Sequence, residues 1–475
     1  MSTVASEKHK IAEHQPQLLA ERRITRRSRK RRAALARFCE TVGWTAFLTL
    51  ALCSLSGVYV QHHQKWWPAS TPVSTEALGT CAWNHLEPHA SLLDVPAIGR
   101  DEILDRQQKL AASLRDAGVD AFIAEPSPSS MYYANISHNF DLSERPFLMI
   151  LDKAGQFSYL VPTFEAGRIA GLSMIYKDKK VIEWPEEESP YQVLAEATGF
   201  SKIMLDEHAR FMIASGLQKA GVEVVPMSKT VQSLRAVKTE PEIAILRGIN
   251  SFTLELVTSL QKCIKVGMSQ ETVQKAGHAL FSRAGVGEGY WAIVLFGDQA
   301  AYPHGGKEGK TLNEGEFVLI DIGSVLHGYS SDVTRTILPE GGHVSDELMG
   351  IWKTVQAAQA AGFNLMHPNE TCSRVDAASR KPVSDAGYGD FYTHRLGHGL
   401  GLEMHEHPYL NGANDEKLEI GDVCSNEPGI YVTSEQAAKI GKEFGFGVRL
   451  EDPILVTANG GVPLSGRRAQ SPYEP

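Results

Sequence analysis

The chain has 475 residues, of which 43% are hydrophobic and 22% charged. This length and composition suit at least two ordinary globular domains. The formal net charge is −9, but residues 1–40 carry eleven Lys or Arg against four Glu, which leaves −16 for the remainder. An acidic body of this kind argues against nucleic acid as a partner.

A basic segment and an apolar segment follow one another near the N-terminus. Residues 22–32 read RRITRRSRKRR, and residues 41–60 read TVGWTAFLTLALCSLSGVYV without a charge. A helix of that length spans about 30 Å, the thickness of a bilayer core. We therefore expect a basic tail over 1–40 and one transmembrane anchor over 41–61. The alternatives are a buried core helix, a cleaved signal or a transit peptide, although the basic lead-in is long for a signal peptide.

The charges around the apolar segment indicate its orientation. Nine Lys or Arg lie between Arg22 and Arg37, which places the N-terminus in the cytosol and the rest of the chain in the lumen or outside the cell. Sequons at Asn135 and Asn369 fit this topology. The six cysteines show no C-x-x-C spacing, so neither a zinc knuckle nor a redox pair is indicated. Disulfides are permitted outside the cytosol, but the sequence does not assign them.

Two domains are predicted after the anchor. A stretch rich in Pro, Ser and Thr begins at Trp66 and predicts a stalk over 62–95. Over 96–235, helical stripes alternate with short apolar runs such as VDAFIAE, RPFLMIL and KVIEW, a pattern typical of a compact α/β domain. A boundary falls at LRAVKTEPEI, where Thr239 can cap a long amphipathic helix that carries Pro241 in its first turn. A second domain is predicted over 236–465.

Four histidines and two glutamates crowd into HRLGHGLGLEMHEHP, residues 394–408. His394 and His398 are four residues apart, but the dense glycines disfavour a zinc-binding helix. The order of residues also differs from the H-E-x-x-H signature. We expect instead an extended, glycine-rich segment that carries His398 and His405.

Four other stretches carry polar groups beside apolar runs. EFVLIDIGSVLHGYSSDVTRT predicts a hairpin that brings Asp321 and Asp332 together. In GDVCSNEPGIYV, Glu427 precedes a Pro-Gly turn, and in GFGVRLEDPILV an alternating pattern puts Arg449 and Glu451 on one face. AYPHGG places His304 in a loop before the hairpin. Each piece alone could be a turn cap or a solvated strand face.

Together these stretches predict a metal centre. A buried, unpaired carboxylate would cost several kcal/mol or lose its charge, so it needs a partner. Four carboxylates and one imidazole match the charge and donor preference of two divalent ions. Two such ions about 3.5–4 Å apart can share a bridging water and lower its pKa.

The order and spacing of the blocks resemble the pita-bread metallopeptidases, a family that includes creatinase, prolidase, aminopeptidase P and methionine aminopeptidase. The resemblance is strong over 235–460, looser over 96–235, and absent from the first 95 residues. It implies an α/β (α+β) fold in which a creatinase-like domain precedes a pita-bread catalytic domain. The blocks are Asp321-x-Gly323, Tyr329-x-Ser331-Asp332-x-Thr334-Arg335-Thr336, Gly397-His398-Gly399-x-Gly401 with His405-Glu406, Glu427-Pro428-Gly429, and Arg449-x-Glu451-Asp452.

The resemblance also implies a role for each polar residue. The five ligands would be Asp321, Asp332, His398, Glu427 and Glu451. His405 would contact the substrate carbonyl or the tetrahedral oxyanion, and His304 would orient or protonate the scissile amide. Glu427 would also shuttle the proton of the bridging water. His394 and Arg449 would support the ligands from behind.

The activity that the resemblance implies is hydrolysis of Xaa-Pro bonds by metal-bound hydroxide, as a dipeptidase or an aminopeptidase. The substrates would be small peptides with proline at the second position, and the cofactors two divalent ions, manganese being favoured over cobalt or zinc. The GHGLGLEMHEHP glycines are similar to the prolidase type, and Gly323 disfavours a lyase branch that carries a carboxylate there. A homodimer is a possible assembly. A non-proline amidase or lyase, and a non-catalytic binding protein, remain as alternatives.

Overall fold

The computed structural model describes residues 74–137, 140, 143–306 and 309–475. The predicted basic tail, the transmembrane anchor and the start of the predicted stalk lie outside these residues. From Pro72 onward the chain forms one compact unit, so the two predicted domains are parts of a continuous body.

The first part of this body is the predicted α/β domain, built on one six-stranded sheet. The elements are α1 (Thr75–Leu86), α2 (Arg100–Asp116), β1 (Ala121–Ala124), α3 (Pro128–Ala134), β2 (Leu148–Asp152), β3 (Phe157–Pro162), α4 (Ala166–Ala170), β4 (Lys179–Trp184), α5 (Pro190–Thr198), β5 (Lys202–Leu205), α6 (Phe211–Lys219), β6 (Glu223–Pro226) and α7 (Lys229–Ala236). The strand order in the sheet is β4-β3-β2-β1-β5-β6. The central strand β1 is buried along its whole length and pairs antiparallel with β2 and parallel with β5, so its continuous apolar run AFIA fits a strand covered on both faces.

The long helix α8 (Glu240–Gln261) begins where the sequence predicts it. Thr239 is the N-cap, its backbone N–H donates to Glu242 Oε2 at 3.0 Å, and Pro241 lies in the first turn. Among the described residues, α8 is the one helix long and apolar enough to cross a membrane, but 72% of its apolar window is buried inside the protein. It is therefore a core helix of the second predicted domain.

The rest of the second domain consists of small antiparallel sheets and the helices around them. The elements are α9 (Gln270–Arg283), β7 (Trp291–Phe296), β8 (Val318–Gly323), β9 (Val325–Leu326), β10 (Tyr329–Ser330), β11 (Val333–Ile337), α10 (Asp346–Phe363), α11 (Cys372–Asp385), β12 (Gly397–Gly399), β13 (Glu406–Leu410), β14 (Val423–Asn426), β15 (Gly429–Val432), α12 (Ser434–Lys439), β16 (Phe446–Arg449), β17 (Asp452–Thr457) and β18 (Gly460–Pro463). A three-stranded sheet has the order β11-β8-β7, a five-stranded sheet has the order β13-β12-β14-β17-β18, and β15 pairs with β16.

The stalk prediction is wrong over residues 74–95. Ser74 caps α1 by accepting a hydrogen bond from the Ala77 N–H at 3.1 Å, and a 3₁₀ segment, Glu87–Leu93, follows. The helix buries Leu78 and Leu86 together with Ala82 and Trp83, and a disulfide joins Cys81 to Cys263 just after α8. Ser74, one of the residues that suggested a stalk, is the N-cap of this helix.

The strand predicted over GFGVRLEDPILV is two strands. β16 ends at Arg449 and pairs with β15, whereas β17 begins at Asp452 and pairs with β14. Glu451 therefore lies at the crossing between two sheets. The predicted alternation still holds, because Val448 and Leu450 pack in the apolar core while Arg449 and Glu451 face the predicted site.

Candidate metal centre

The structure brings the five predicted ligands into one buried cluster. Asp321 lies on β8 and Asp332 directly before β11, and the antiparallel register of these strands places them near each other across the hairpin. His398 is the middle residue of β12, Glu427 follows β14, and Glu451 connects β16 to β17. The five residues come from different strands and strand junctions, so the cluster forms only when the small sheets pack together.

The ligand atoms of these residues fall into two overlapping groups. Asp321, Asp332 and Glu451 form one, and His398, Glu427 and Glu451 form the other; within each group the atoms lie within 4.8 Å of one another. His398 Nε2 is 3.1 Å from Glu427 Oε1 and 3.6 Å from Asp332 Oδ2. Nδ1 of the same ring is 3.1 Å from the Gly399 carbonyl oxygen, which orients Nε2 toward the carboxylates.

Negative charge is crowded in this cluster. Burial raises the pKa of Asp332 and Glu451 well above the usual range, and repulsion from neighbouring carboxylates adds to the rise. Burial also raises the pKa of Asp321, although Arg449 opposes the shift. For Glu427, burial acts upward, but the hydrogen bond and charge of His398 lower its pKa to about 2. Bound cations would stabilise the ionised form of these buried carboxylates.

The donor set fits divalent metal ions. Asp321 Oδ1 is buried and has no hydrogen-bond partner in the part of the chain that the structure describes. Such an oxygen is costly unless something binds it. Carboxylate oxygens together with one imidazole nitrogen suit ions such as Mn²⁺, Co²⁺ or Zn²⁺.

A chain of hydrogen bonds supports the cluster from behind. Arg449 donates through Nη2 to Asp321 Oδ2 and through Nη1 to the Tyr431 hydroxyl oxygen at 3.0 Å. The Tyr431 hydroxyl lies 2.8 Å from His394 Nε2, and the other ring nitrogen of His394 lies 2.7 Å from the Arg395 carbonyl oxygen. These contacts link His394, through Tyr431 and Arg449, to Asp321.

The two predicted substrate histidines lie at the mouth of the cluster. His405 precedes β13, and its ring centroid is 4.1 Å from that of His398. Burial, the charge of His398 and that of Arg395 lower the pKa of His405 to about 4, and His304 contributes in the same direction. Because of this lowered pKa, the imidazole of His405 is neutral at pH 7. His304 is exposed on the turn after the 3₁₀ segment Gly297–Ala301.

The glycines of the histidine-rich segment allow close backbone packing. A Cβ on Gly397 would lie 1.9 Å from the Ser425 carbonyl oxygen, and one on Gly399 would lie 2.2 Å from the His407 carbonyl oxygen. A Cβ on Gly401 would lie 2.4 Å from Glu406 Oε1. Any side chain at these positions would push the strand that carries His398 away from its neighbours.

Sequence reasoning missed several polar residues that hold the ligands. Thr334 Oγ1 donates to Glu451 Oε2 at 2.6 Å and accepts from Arg449 Nε at 3.1 Å. Asn250 Oδ1 accepts the Asp332 N–H at 3.0 Å from within α8. The signal for Asn250 was available, because a lone amide in an apolar core helix needs a partner.

Comparison with known proteins identifies the two halves of the body. Residues 244–458 match the model of metallopeptidase family M24, and residues 106–237 match the creatinase/prolidase N-terminal domain. An uncharacterized peptidase of Schizosaccharomyces pombe is 41% identical over 80% of this chain and 84% of its own length.

Solved structures share the fold. The dipeptidase PepE from Mycobacterium ulcerans superposes with a TM-score of 0.69 at 27% identity, covering 78% of this chain and 98% of its own. The Xaa-Pro dipeptidase from Bacillus anthracis gives 0.64 at 26% identity, covering 77% and 98%. The predicted fold, a pita-bread domain behind a creatinase-like domain, is confirmed, and the chain belongs to metallopeptidase family M24.

Proposed function

We propose that this protein hydrolyses small Xaa-Pro peptides at a dinuclear metal centre. The observation that carries the proposal is the pair of ligand groups that share Glu451, one with Asp321 and Asp332, the other with His398 and Glu427. Two groups that share a carboxylate suit two ions held side by side. Manganese fits the oxygen-rich donor set, with cobalt or zinc as alternatives.

Three residues of the chain would have separate roles at that centre. Bound divalent ions supply a water of lowered pKa and polarise the scissile carbonyl. Glu427 is ionised at neutral pH, because its pKa is lowered to about 2, and as a carboxylate beside His398 it would relay the proton of the attacking water. Neutral His405 can donate an N–H to the substrate carbonyl oxygen. His304, which is on an exposed turn and whose charge acts on His405, would orient the amide nitrogen.

Arg395 supports a dipeptide as the substrate. Its guanidinium carbon lies 4.5 Å from the ring centroid of Tyr409, and its charge acts on His405 at the mouth of the centre. The Arg395 side chain is partly buried there, and its guanidinium is a donor that can pair with a carboxylate. The terminal carboxylate of a dipeptide would fill this position, whereas that of a tripeptide lies about 3.5 Å further along the chain. The preference for proline is supported by the likeness to the Xaa-Pro dipeptidase.

The test is hydrolysis of Ala-Pro beside Ala-Pro-Ala and Ala-Leu by the full-length chain in detergent with added Mn²⁺. We expect cleavage of Ala-Pro that disappears in the Asp332→Ala control. Cleavage of the tripeptide alone would make the protein an aminopeptidase. Bound metal without cleavage of any of the three would favour the amidase or lyase, and failure to bind metal would leave the non-catalytic binding protein. The predicted homodimer can be measured by sedimentation of the same sample.

We also propose that residues 41–61 anchor the protein in a membrane, with the N-terminus in the cytosol and the catalytic body in the lumen or outside the cell. The Cys81–Cys263 disulfide supports this topology, because disulfides persist in oxidising compartments. Asn369 is exposed, whereas Asn135 is half-buried and its Nδ2 donates to the Ser173 carbonyl oxygen at 2.8 Å.

Glycosylation tests the topology. In eukaryotic cells we expect an endoglycosidase-sensitive mobility shift that Asn369→Gln removes and Asn135→Gln leaves in place. A chain without any shift, in which Cys81 and Cys263 both react with an alkylating agent before reduction, would place the body in the cytosol.

A further inference from the structure

Lys238 lies in the segment that joins the two domains, and its ammonium group is buried. The side chain is 1% exposed. Nζ donates to the carbonyl oxygens of Arg235 and Ala236 at 2.8 Å each and to Glu406 Oε1 at 2.6 Å. An ammonium has three donors, and each has an acceptor here. Lys238 thereby fixes Glu406, the residue directly after His405.

Arg235, in the last turn of α7, is a second buried cation. It donates through Nη2 to Glu403 Oε2, and its Nε lies 3.6 Å from Glu406 Oε2. Nη1 also donates to Ser129 Oγ at 3.2 Å, at the start of α3 in the N-terminal domain. One guanidinium therefore connects the N-terminal domain to both glutamates that flank His405.

The turn that carries His405 is closed on itself as well. The Glu403 N–H donates to Glu406 Oε2 at 3.4 Å, and the Gly401 N–H donates to the Glu403 carbonyl oxygen at 2.9 Å. A Cβ on Gly401 would lie 2.9 Å from Lys238 Cε, so glycine leaves the space that the lysine fills. His405 thus lies between two glutamates, each held by a cation from outside the loop.

We propose that Lys238 and Arg235 are positioning residues for His405. Through Glu406 and Glu403, these cations hold the His405 imidazole beside His398, where it can meet the substrate. The inference rests on the proposed function for the role of His405, but the contacts that carry it are independent of that role. A misplacement of about 1 Å at a reacting group can cost about 10²-fold in rate.

A purely structural clamp between the domains is the competing explanation, and a double-mutant cycle separates the two. Lys238→Met combined with Glu406→Gln removes the positioning contact without leaving a buried charge unpaired, so the variant can fold. If Lys238 acts through His405, the double substitution should lower kcat on Ala-Pro about 10–100-fold in the wild-type background. In a His405→Ala background it should lower kcat less than about 3-fold.

The matched control is Arg210→Met combined with Glu125→Gln, which removes an ion pair to a buried carboxylate in the N-terminal domain. We expect that variant to keep the wild-type kcat. Equal losses from the Lys238 pair in both His405 backgrounds, or an unchanged kcat in the wild-type background, would overturn the proposal.

Hydrogen exchange of the full-length chain gives a readout that needs no activity. Amides of residues 400–407 should exchange faster in the Lys238 pair than in wild type, and at the wild-type rate in the Arg210 control. If the wild-type chain cleaves no peptide but this difference appears, the peptidase proposal has failed while the loop contact stands. Without the difference, the positioning proposal is wrong.

Discussion

Two clusters of buried charge lie on either side of His405, and they differ in charge balance. In the ligand cluster, four carboxylates (Asp321, Asp332, Glu427 and Glu451) have one guanidinium, that of Arg449, within ion-pair distance. In the clamp cluster (Arg235, Lys238, Glu403 and Glu406), two cations meet two carboxylates, and Arg235 Nη2 also lies 3.5 Å from Oε1 of the exposed Glu207.

The carboxyl pKa values follow this difference. Burial and mutual repulsion raise the pKa of Asp332 and Glu451. Burial also acts upward on Glu403, but a hydrogen bond from His208 and the charge of Arg235 give it a lowered pKa. The clamp cluster is complete within the protein, whereas the ligand cluster is incomplete without external cations. Natural proteins accept such local instability at functional sites.

The largest expected effect comes from removing a ligand. Asp332→Ala should lower Ala-Pro hydrolysis by about 10³-fold or more, because bound metal supplies several kcal/mol of transition-state stabilisation. Steady-state kinetics and metal analysis of the dialysed protein check this together. Full activity with a normal metal content would show that the ligand cluster is not the reaction centre.

Breaking the clamp cluster should have the largest effect on stability. Lys238→Met leaves Glu406 buried without its ammonium partner, and loss of one member of a buried pair costs about 3–5 kcal/mol. Denaturant unfolding of the metal-free protein measures the change. A decrease in the free energy of unfolding of less than about 1 kcal/mol is typical of surface pairs. It would mean that Glu406 reaches water or another partner, and that the two clusters differ less than their charges indicate.

Sequence reasoning found the ligand cluster and missed the clamp cluster for a physical reason. Asp321 and Glu427 follow or precede apolar strands, so their burial could be inferred locally, and an unpaired buried carboxylate suggests a metal. Lys238 lies in LRAVKTEPEI, which resembles a solvated linker, and its burial arises only when the two domains pack. The same limit explains the wrong stalk prediction, because the partner of Cys81 is 182 residues away.

Arg395 offers an intermediate effect that tests substrate length. Arg395→Met should raise KM for Ala-Pro about 10–100-fold, since a hydrogen bond to a charged group contributes about 1.5–3 kcal/mol. It should change KM for the amidated dipeptide Ala-Pro-NH₂ little, because that substrate has no terminal carboxylate. Equal increases in KM for Ala-Pro and Ala-Pro-NH₂ would show that Arg395 does not bind the terminal carboxylate of the substrate. The proposed preference for dipeptides would then lose its support.

The smallest expected effect is a gain in stability when the ligand cluster loses a charge. Asp332→Asn should stabilise the metal-free protein at pH 8 by about 1–3 kcal/mol, because it removes a carboxylate that burial and its neighbours destabilise. Lys238→Met should do the opposite under identical conditions. If both substitutions destabilise, the two clusters do not differ in the way their charges indicate.

The pH dependence of the free energy of unfolding also tests the comparison of the two clusters, because the direction of the expected change is set by the carboxyl pKa values of the ligand cluster. Since burial raises the pKa of Asp321, Asp332 and Glu451, these three groups bind more protons in the folded metal-free protein than in the unfolded chain above about pH 4. Their contribution to the free energy of unfolding should therefore fall as the pH rises from 5 to 8, although His405, whose pKa is lowered to about 4, contributes a rise up to about pH 6.5. Glu427, with its pKa lowered to about 2, opposes this trend below about pH 5 and contributes no further change above it. Denaturant unfolding in a chelator should show a shallower fall for Asp332→Asn, and saturating Mn²⁺ should remove the fall, because bound metal displaces the protons.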